Sequence, residues 1–399
     1  MVRPKLKFKA DDGSQFPDWE EKTIDEVAEC LDNKRIPVNS EERKKRAGEI
    51  PYYGAGGIQG YIDDYLFDEE LVLLLEDGDT FDDFQIKSIA QYVTGKCWVN
   101  NHVHVLRANE NSYFLFASLE HKDIRKWTQL AGASRKKLLK DSLLKIKVNI
   151  PSLPEQQKIA EFLSTIDTVI EKQKETVSAW EERKKGVMQK LFSQEVRFKA
   201  DDGSDFSDWE EKKISDIFSK VKDKNKDGQN QNVITNSAEF GLINQRDFFD
   251  KDIAVDGKTE NYTVIKTGDF VYNPRKSKQA PYGPFNCYQL EEDGIVSPLY
   301  TCLRPKGNAD DEYLHWYFQS GSWYRFIYEN GAQNGARHDR VGMTDSLMQE
   351  IPVYLPKAVE EQQKIADCLS SLDEVIEKQK ATLAAREELK KGLLQQMFV

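Results

Sequence analysis

The feature that most constrains the fold of this chain is an internal duplication. Residues 8–24 return at 198–214 with 14 of 17 positions identical. A second block, residues 155–192, returns at 361–398 with 24 of 38 positions identical. Two long matches in the same order indicate a tandem repeat, so we expect two copies of one structural framework and an internal pseudo-two-fold duplication.

The segments between the repeated blocks have diverged. Residues 25–150 and 215–355 share little sequence, although they occupy equivalent places in the repeat. The offset between the copies grows from 190 to 206 residues, so the second variable segment is longer by 16 residues. A duplicated framework with two unlike insertions is suited to presenting two different surfaces in one shared geometry.

The block at 155–192 and its copy at 361–398 have the heptad spacing of long helices. Apolar residues recur at alternating steps of four and three, which is typical of a coiled-coil seam. Pro151, Pro154 and Pro356 lie near the predicted starts, where proline suits a helix. At 1.5 Å per residue, such a helix is about 57 Å long. The expected helix-pairing residues are Ile159, Leu163, Ile166, Ile170, Gln173, Val177, Trp180, Ile365, Leu369, Leu372, Ile376, Gln379 and Leu383.

Two arrangements would bury these seams. In one, the helices pair with each other as an antiparallel coiled coil; in the other, each helix packs separately on its own domain. The seam is too narrow and too long for a compact domain, which favours pairing. Gln173 and Gln379 occupy matching seam positions, and polar seam residues commonly set the register of a coiled coil. We therefore expect these two glutamines to fix the register.

Composition excludes several classes of protein. The chain has 399 residues with 31% charged and 39% hydrophobic side chains, which is typical of globular domains and not of disordered chains. The longest apolar run, Leu71–Leu75, is far shorter than a membrane span, and no signal peptide is expected near the first residue. Five scattered cysteines without a CxxC pair predict neither a disulfide framework nor a zinc site, so a cytoplasmic location is expected.

The net charge of −11 speaks against a nucleic-acid partner, but the charges are unevenly distributed. Residues 61–83 contain ten acidic and no basic side chains, whereas residues 122–147 contain nine basic and two acidic ones. Segregated blocks of this kind can form a positive face on an acidic protein. A mixed, solvated surface explains the charge pattern equally well.

The variable segments are predicted to be mixed α/β. Short strands are expected at 146–150 and 351–355, and frequent Gly, Asn and Asp residues indicate turns. Residues 313–328 are rich in aromatic side chains and are predicted to form a helix. These rings favour a core-facing role over a platform on which bases stack.

Three motifs invite a catalytic or metal-binding interpretation. Gly54 to Gly60 fits neither the dinucleotide-binding nor the P-loop pattern and is predicted to be a glycine-rich turn. Asn273 begins a sequence that resembles the Asn-Pro-Pro-aromatic motif of amino methyltransferases, but the third and fourth positions differ. His102 and His104 alternate along a strand without a third ligand at a recognisable spacing, so structural histidines are favoured over a metal site. These motifs predict that the chain performs no chemistry itself and is not an enzyme.

Over nearly its whole length, the chain resembles the specificity subunit of type I restriction–modification systems. The resemblance depends on the repeated Glu-Gln-Gln-Lys-Ile-Ala block after proline and on the Trp-Glu-Glu-Lys-x-Ile motif at 19–24 and 209–214. Within the variable segments, residues 50–62, 268–276 and 296–300 are similar to common forms of that family's target recognition domain. The individual motifs are modest, but their repeated order is specific.

This resemblance implies two α/β target recognition domains, each reading one half of a bipartite DNA sequence, separated by two long spacer helices that act as a ruler. It implies no cofactor on this chain. The expected partners are double-stranded DNA, two modification subunits that use S-adenosylmethionine, and restriction subunits that use ATP and Mg; no membrane is involved. The expected domains are 1–150 and 196–355 for recognition, with framework segments 1–24 and 198–214, and 151–195 and 356–399 for the spacer helices.

Arg, Lys, Asn and Gln are the side chains that most often contact phosphates and base edges, so residues of these types in both variable segments are the first candidates for DNA contacts. Gly132-Ala-Ser-Arg135 and Gly335-Ala-Arg337 occupy comparable places before the last strand of each segment. The candidate DNA-binding residues are Lys96, Asn100, Asn101, Ser134, Arg135, Lys136, Lys137, Asn273, Arg275, Lys276, Lys278, Gln333, Asn334, Arg337 and Arg340.

Two other classes of function explain part of the pattern. An acidic DNA mimic would account for the net charge but not for two unlike insertions on one framework. A coiled-coil scaffold that binds two proteins would account for the helices and the charge without any sequence-specific DNA binding. Salt-dependent DNA binding in the presence of partner subunits distinguishes the specificity subunit from the scaffold.

Overall fold

A computed structural model describes residues 4–131, 135–248, 259–331 and 339–398. The chain forms two compact units, of which the first comprises Met1–Thr176 with Gln379–Val399 and the second comprises Val177–Lys378. Both units mix strands and helices, and a 40-residue helix follows each variable segment. The mixed α/β fold predicted from the sequence is thereby confirmed. The division into units falls inside both long helices, so the limits of the recognition domains stay a prediction.

The variable segment of the first unit is rich in short strands. Its elements up to the first long helix are β1 (Glu20–Thr23), α1 (Ile24–Val27), β2 (Ala28–Cys30), α2 (Ser40–Lys45), β3 (Ile50–Gly54), β4 (Gly57–Ile62), β5 (Phe67–Asp68), β6 (Leu71–Leu75), β7 (Ala90–Val93), β8 (Lys96–Val99), β9 (Val103–Ala108), α3 (Ser112–Leu119), β10 (Thr128–Ala131), β11 (Arg135–Leu138), α4 (Lys140–Leu143), β12 (Lys147–Ile150) and α5 (Leu153–Phe192).

The second unit repeats this order with a different middle part. Its elements are β13 (Glu210–Lys213), α6 (Ile214–Ile217), β14 (Phe218–Lys220), β15 (Ile234–Ser237), β16 (Gly241–Asn244), α7 (Gln245–Phe248), β17 (Thr263–Ile265), β18 (Phe270–Tyr272), β19 (Phe285–Cys287), β20 (Gly294–Val296), β21 (Thr301–Pro305), α8 (Asp311–Ser320), α9 (Tyr324–Asn330), α10 (Asp345–Glu350), β22 (Pro352–Leu355) and α11 (Val359–Phe398).

The two units share their sheet topology. The strand near the end of each repeated entry block pairs antiparallel with the last strand before the long helix, as β1 with β12 and β13 with β22. A four-stranded antiparallel sheet is present in each unit, in the order β2-β9-β6-β7 and β14-β21-β18-β19. In β6, all five side chains are buried, as expected for an unbroken apolar run in a central strand. The strands predicted at 146–150 and 351–355 are both present as β12 and β22, and each begins one residue later than expected.

The added strands differ between the units. In the first unit, β3, β4, β5 and β8 form a further four-stranded sheet over a small core that contains Tyr52 and Trp98. Gly54 pairs with Gly57 in the β3–β4 hairpin, so the glycine-rich segment is a turn as predicted. In the second unit, two-stranded pairs β15-β16 and β17-β20 take the equivalent place. The two variable segments therefore add different strands to sheets of the same topology.

In the first unit, the beginning of α5 packs against the end of α11. Gln173 donates from Nε2 to Oε1 of Gln379 at 2.7 Å, and Arg386 donates to Oε1 of Gln173 at 2.8 Å. Asp167 pairs with Lys390 at 2.8 Å, so the partner on α11 moves backwards as the chain advances along α5. The two segments are therefore antiparallel.

The predicted helix-pairing residues lie at different depths. Ile159, Leu163, Ile170, Gln173 and Val177 of α5 are buried, whereas Ile166 and Trp180 are half-buried. On α11, Ile365, Leu369 and Ile376 are buried, whereas Leu372, Gln379 and Leu383 are half-buried. In the second unit, Leu191 of α5 and Ile365, Ala366 and Leu369 of α11 belong to one hydrophobic core.

The aromatic segment differs from its prediction. Instead of one helix from Tyr313 to Tyr328, the chain forms α8 and α9 with a break at Gly321. Gly321 has φ +71°, a left-handed conformation that glycine adopts without strain and that ends α8. Trp316, Phe318 and Trp323 are nevertheless buried in the core of the second unit, which confirms the core-facing interpretation.

The five cysteines all carry free thiols, and two of them, Cys97 and Cys302, are buried. Among the helices in the described part of the chain, none combines the length and the hydropathy needed to cross a membrane.

Candidate nucleic-acid interface

In the first unit, the turn between β8 and β9 contains a buried asparagine, Asn100, followed by an exposed one, Asn101. Asn100 is only 5% exposed, and its amide donates to Gln59 at 3.2 Å and accepts the backbone N–H of His102 at 2.8 Å. Its own backbone N–H donates to the carbonyl of Tyr53 at 3.0 Å. Asn101, the next residue, is exposed. Asn100 thus holds the turn, and Asn101 faces solvent.

Lys136 and Lys137 lie close to this turn. They are in β11, whose Lys137 bridges to Asp77, and Asp77 also contacts the ring of His102 at 3.0 Å. The ammonium group of Lys137 pairs with Glu76 at 3.0 Å, and Lys136 pairs with Asp82. The fold therefore brings the Asn-Asn turn and two of the predicted lysines close to Glu76 and Asp77, which directly follow β6. These carboxylates offset part of the positive charge of the lysines.

The other first-unit candidates lie elsewhere or are not described. Lys96 is at the opposite end of β8 and places its ammonium group over the ring of Tyr65, 4.6 Å from the centroid. Arg135 pairs through its backbone with Ala131 in the β10–β11 hairpin. Ser134 lies outside the described residues.

A cleft of about 590 Å³ lies beside the Asn-Asn turn. The amides of Gln59 and Asn100 line it together with Asn101 and Arg43. The guanidinium of Arg43 lies over the ring of Tyr52, 4.4 Å from its centroid, and donates to the carbonyl of Val38 at 3.2 Å. Gln59 and Arg43 are residue types that commonly contact DNA, but they were missed in the sequence because no spacing distinguishes them from other surface residues. Arg43 is one of six basic side chains within residues 34–46, which contain two acidic ones.

His104 has a structural role. Its Nδ1 contacts Asp32 at 2.6 Å, and its Nε2 lies 2.9 Å from the carbonyl of Leu138. Burial acts to raise the pKa of Asp32, but hydrogen bonds from His104 and from the backbone N–H of Val105 outweigh it and lower that pKa. Cys30, Asp32 and His104 have potential ligand atoms within 4.8 Å of one another. Both ring nitrogens of the histidine are already engaged, which favours a buried hydrogen-bond role over metal binding.

In the second unit, two separate parts of the chain come together at the predicted basic segment. Lys276 donates its backbone N–H to the carbonyl of Asp339 at 2.9 Å, and Val341 donates to the carbonyl of Pro274 at 2.9 Å. Arg275 and Arg340 face each other as an antiparallel bridge. Candidates from two stretches more than sixty residues apart, around Asn273 and around Arg340, therefore form one surface.

A network of side-chain amides, in which Asn236 and Asn286 are buried, supports this segment. Asn273 donates from its side chain to the carbonyl of Asn236 at 3.0 Å and accepts the backbone N–H of Arg275 at 3.0 Å. Asn286 bridges the side chains of Asn236 and Gln319, each at 2.6 Å. Buried polar groups that satisfy one another in this way rigidify the backbone that they hold.

The remaining second-unit candidates fall into two groups. Lys278 is exposed in the turn after Lys276. Gln333, Asn334 and Arg337 lie outside the described residues.

A second basic feature was missed in the sequence. Lys220, Lys222 and Lys224 alternate along β14 and the loop after it, and they line a groove of about 840 Å³ with Lys306. Lys220 is paired with Asp345 at 2.5 Å, and Lys224 donates to the hydroxyl of Thr263 at 3.0 Å. The two-residue spacing of these lysines was a usable signal, because alternate residues of a strand share one face.

Comparison with known proteins places these features in a family. The model of the type I restriction modification DNA specificity domain matches the chain twice, at residues 17–178 and 206–385. Each match covers one variable segment and part of one long helix. A solved structure of a type I restriction–modification system S subunit from M. genitalium aligns over 100% of this chain and 99% of its own, with a TM-score of 0.58 and 14% identity. At this identity, the likeness concerns the fold alone.

Two relatives show sequence similarity over parts of the chain. A protein of Haemophilus influenzae named as a type I restriction enzyme specificity subunit, S.HindORF215P, is 40% identical over 158 residues, which are 39% of this chain and 38% of that protein. The MjaX specificity subunit of Methanocaldococcus jannaschii is 26% identical over 317 residues, 73% of this chain and 68% of its own length. The chain thus spans well under half of the first relative and about two thirds of the second.

Proposed function

Since the chain belongs to the family of type I restriction–modification DNA specificity domains, we propose that it is the DNA-reading subunit of a type I restriction–modification enzyme. Its two variable segments each read one half of a bipartite DNA target. The observation that carries this proposal is the double match of the family model, one copy on each variable segment. The difference between the two inserts supports it further, since unlike surfaces suit unlike half-sites.

The contacts with DNA are of two kinds. Lysines and arginines supply phosphate contacts and the salt dependence of binding, whereas Asn, Gln and Arg side chains discriminate bases. In the first segment, Asn101 is the exposed amide, and Lys136 and Lys137 supply charge beside it. In the second segment, Arg275, Lys276, Lys278 and Arg340 form the corresponding surface, and the basic groove at Lys222 adds a further phosphate contact. Asn100 and Asn273 hold the backbone in place.

The partners follow from the proposed role. The chain binds double-stranded DNA and two modification subunits, which use S-adenosylmethionine, and it is joined by restriction subunits that use ATP and Mg. The chain itself is non-catalytic, binds none of these cofactors, and acts in the cytoplasm, where the host DNA is methylated. The recognition domains are 1–150 and 196–355, and the spacer helices at 151–195 and 356–399 set the gap between half-sites.

The family membership does not favour the two alternatives, an acidic DNA mimic and a scaffold without sequence-specific DNA binding. Both would leave the host DNA unmethylated when the chain is co-expressed with a modification subunit.

The test is co-expression with the candidate modification subunit, followed by sequencing of methylated adenines in the host DNA. The proposal expects one bipartite motif with a fixed gap, present only when this chain is intact. A control chain that lacks residues 25–150 tests whether one half of the motif depends on the first segment. A stable complex without any methylation would contradict the proposal.

A further inference from the structure

One arginine of the second unit stands out by its exposure and its support. The side chain of Arg275 is 70% exposed, while the backbone on both sides of it is held by the hydrogen bonds of Pro274 and Lys276 to the segment 339–341. The amide of Asn273 also accepts the backbone N–H of Arg275 at 3.0 Å. A long, exposed side chain on a fixed backbone is suited to reach into a groove of DNA at a defined position.

A carboxylate lies beside this arginine. Oδ2 of Asp339 is 3.8 Å from Nε of Arg275, an ion-pair distance, and Asp339 is itself 47% exposed. The aspartate lies on the Nε side of the guanidinium, so the Nη groups can donate to another partner. The fold creates this pair, because the two residues are 64 positions apart.

The negative charge of Asp339 favours contact of Arg275 with the edge of a base over contact with a phosphate. A phosphate at the tip of Arg275 would be repelled by the neighbouring carboxylate. The edge of a base carries no net charge, and guanine presents two acceptors, O6 and N7, to an arginine in the major groove.

We infer that Arg275 reads a guanine in one half-site and that Asp339 is a positioning residue, which holds the guanidinium toward the base and away from the phosphates. The inference rests on the proposed function and names the base that this part of the recognition surface distinguishes. Arg340, which faces Arg275 across the antiparallel bridge, supplies a contact to the DNA backbone.

The experiment compares four variants in the reconstituted modification complex: Arg275→Ala, Arg275→Lys, Asp339→Ala and Asp339→Asn. The matched control is Arg325→Ala, which removes an exposed arginine that pairs with Glu329 one helical turn away at 2.8 Å. Methylated adenines are mapped genome-wide, and binding of the wild-type site and of single-base-pair variants is measured as a function of salt. Mapping identifies the affected half-site directly.

Arg275→Ala should lower the preference for one G·C pair in one half-site by roughly tenfold. Arg275→Lys should recover only part of this preference, since lysine lacks the planar, rigid fork of the arginine guanidinium. Asp339→Ala and Asp339→Asn should relax the same position without weakening binding to other sequences, because the freed guanidinium can turn to a phosphate. The Arg325→Ala control should leave the motif unchanged. A merely structural role of Asp339 would instead weaken all sites together.

Two results would overturn the inference. If Arg275→Ala weakens binding equally for every sequence and reduces the salt slope by about one, Arg275 contacts a phosphate. If the half-site that changes contains no G·C pair at the affected position, the base is not guanine. Absence of any bipartite motif with the wild-type chain would be a different failure, since it would remove the proposed function and the inference with it.

Discussion

The two units begin their long helices with the same contacts. Gln156 donates its side-chain amide to the carbonyl of Pro151 at 3.0 Å, and Gln362 donates to that of Pro356 at 2.7 Å. The next repeated lysine donates to a backbone carbonyl of the entry block in both units, each at 2.8 Å. Repeated sequence therefore produces repeated hydrogen bonds where the partners are repeated as well.

The glutamate one position before those glutamines shows where the copies diverge. Glu155 accepts the indole N–H of Trp19 at 3.1 Å, whereas Glu361 accepts two hydrogen bonds from Arg197, at 2.9 and 2.8 Å. Burial raises the pKa of Glu155, and the hydrogen bond from Trp19 offsets only part of that effect. In the second unit, the indole N–H of Trp209 is buried without a hydrogen-bond partner among the described residues.

A single substitution is enough to give a buried carboxylate a different hydrogen-bond partner. Residue 7 is lysine in the first copy and the equivalent residue 197 is arginine, whose planar fork matches a carboxylate. Arg197 takes both oxygens of Glu361, so the tryptophan loses its acceptor. The framework tolerates this exchange, which explains how a repeated scaffold can drift while its fold persists.

The strongest effect on DNA recognition should come from an insertion in α5, a helix that extends into both units. Inserting four residues after Ser178, which is exposed on α5, adds about 6 Å of helix and rotates the downstream part of α5 by about 40°. We expect a changed gap between half-sites, or no recognition, with the half-sites themselves unaltered. Genome-wide mapping of methylated adenines measures this outcome. The same insertion in the exposed turn at 201–204 is the control and should leave the gap as it was; a change within a half-site would argue against the ruler.

A smaller effect is expected from a glycine substitution in the second variable segment. Gly283 has φ +87°, and a Cβ there would lie 2.1 Å from the carbonyl oxygen of Asn273, on the segment that bears Arg275. Gly268 has the same φ with no heavy atom within 4 Å of a Cβ, so it is the matched control. Gly283→Ala should cost about 3 kcal/mol of unfolding free energy and alter one half-site, whereas Gly268→Ala should cost about 1 kcal/mol and alter neither. Equal costs in denaturant unfolding would show that the contact with Asn273 is not decisive.

The two buried glutamates should respond differently to the same substitution. Glu361→Gln replaces the carboxylate that Arg197 faces with a neutral amide, and the weakened hydrogen bonds to this charged group should cost about 2 kcal/mol of unfolding free energy. Glu155→Gln keeps an acceptor for Trp19 and removes a buried charge, so the change in unfolding free energy should be near zero or stabilising by less than about 1 kcal/mol. Denaturant unfolding of both variants at pH 7 measures the contrast. The same loss in both variants would mean that the two glutamates are equivalent despite their different partners.

The smallest effect is a dependence on pH in the first unit. The folded pKa of Glu155 is raised, so its ionisation opposes folding, and stability falls as the pH rises from the unfolded pKa, about 4.3, through the folded one. Relative to the wild type, Glu155→Gln should therefore gain stability over this window and show no further gain above it. Unfolding midpoints measured between pH 4 and pH 8 test this; a constant difference across the range would contradict it.

Much of the architecture follows from the sequence because it depends on local spacing. The heptad pattern predicts both long helices, and the structure extends each to 40 residues. The turn at Gly54 and the buried aromatic cluster follow from residue type. The break at Gly321 was missed, because the apolar pattern continues across it and only the φ angle of the glycine ends α8.

The candidate DNA-binding site was harder to predict from the sequence than the fold. Asn100 and Asn101 are adjacent and identical in type, yet one is buried and the other exposed, since the turn directs them to opposite sides. Lys136 and Lys137 were recognised as basic, but their pairing with Asp82 and Glu76 depends on strands that are distant in sequence. Residue type identified the candidates, and packing decided what each of them faces.

The duplication, the two long helices, the mixed α/β class and the family were all predictable from the sequence, because they follow from repeated residues and from the period of apolar side chains. By contrast, the packed fold was needed to show that Asp339 lies beside Arg275 and that Arg197, not Trp209, satisfies Glu361. The physical reason is distance along the chain: the pairs are separated by 64 and 164 residues. No local pattern encodes such a contact, since it exists only after strands and helices have packed.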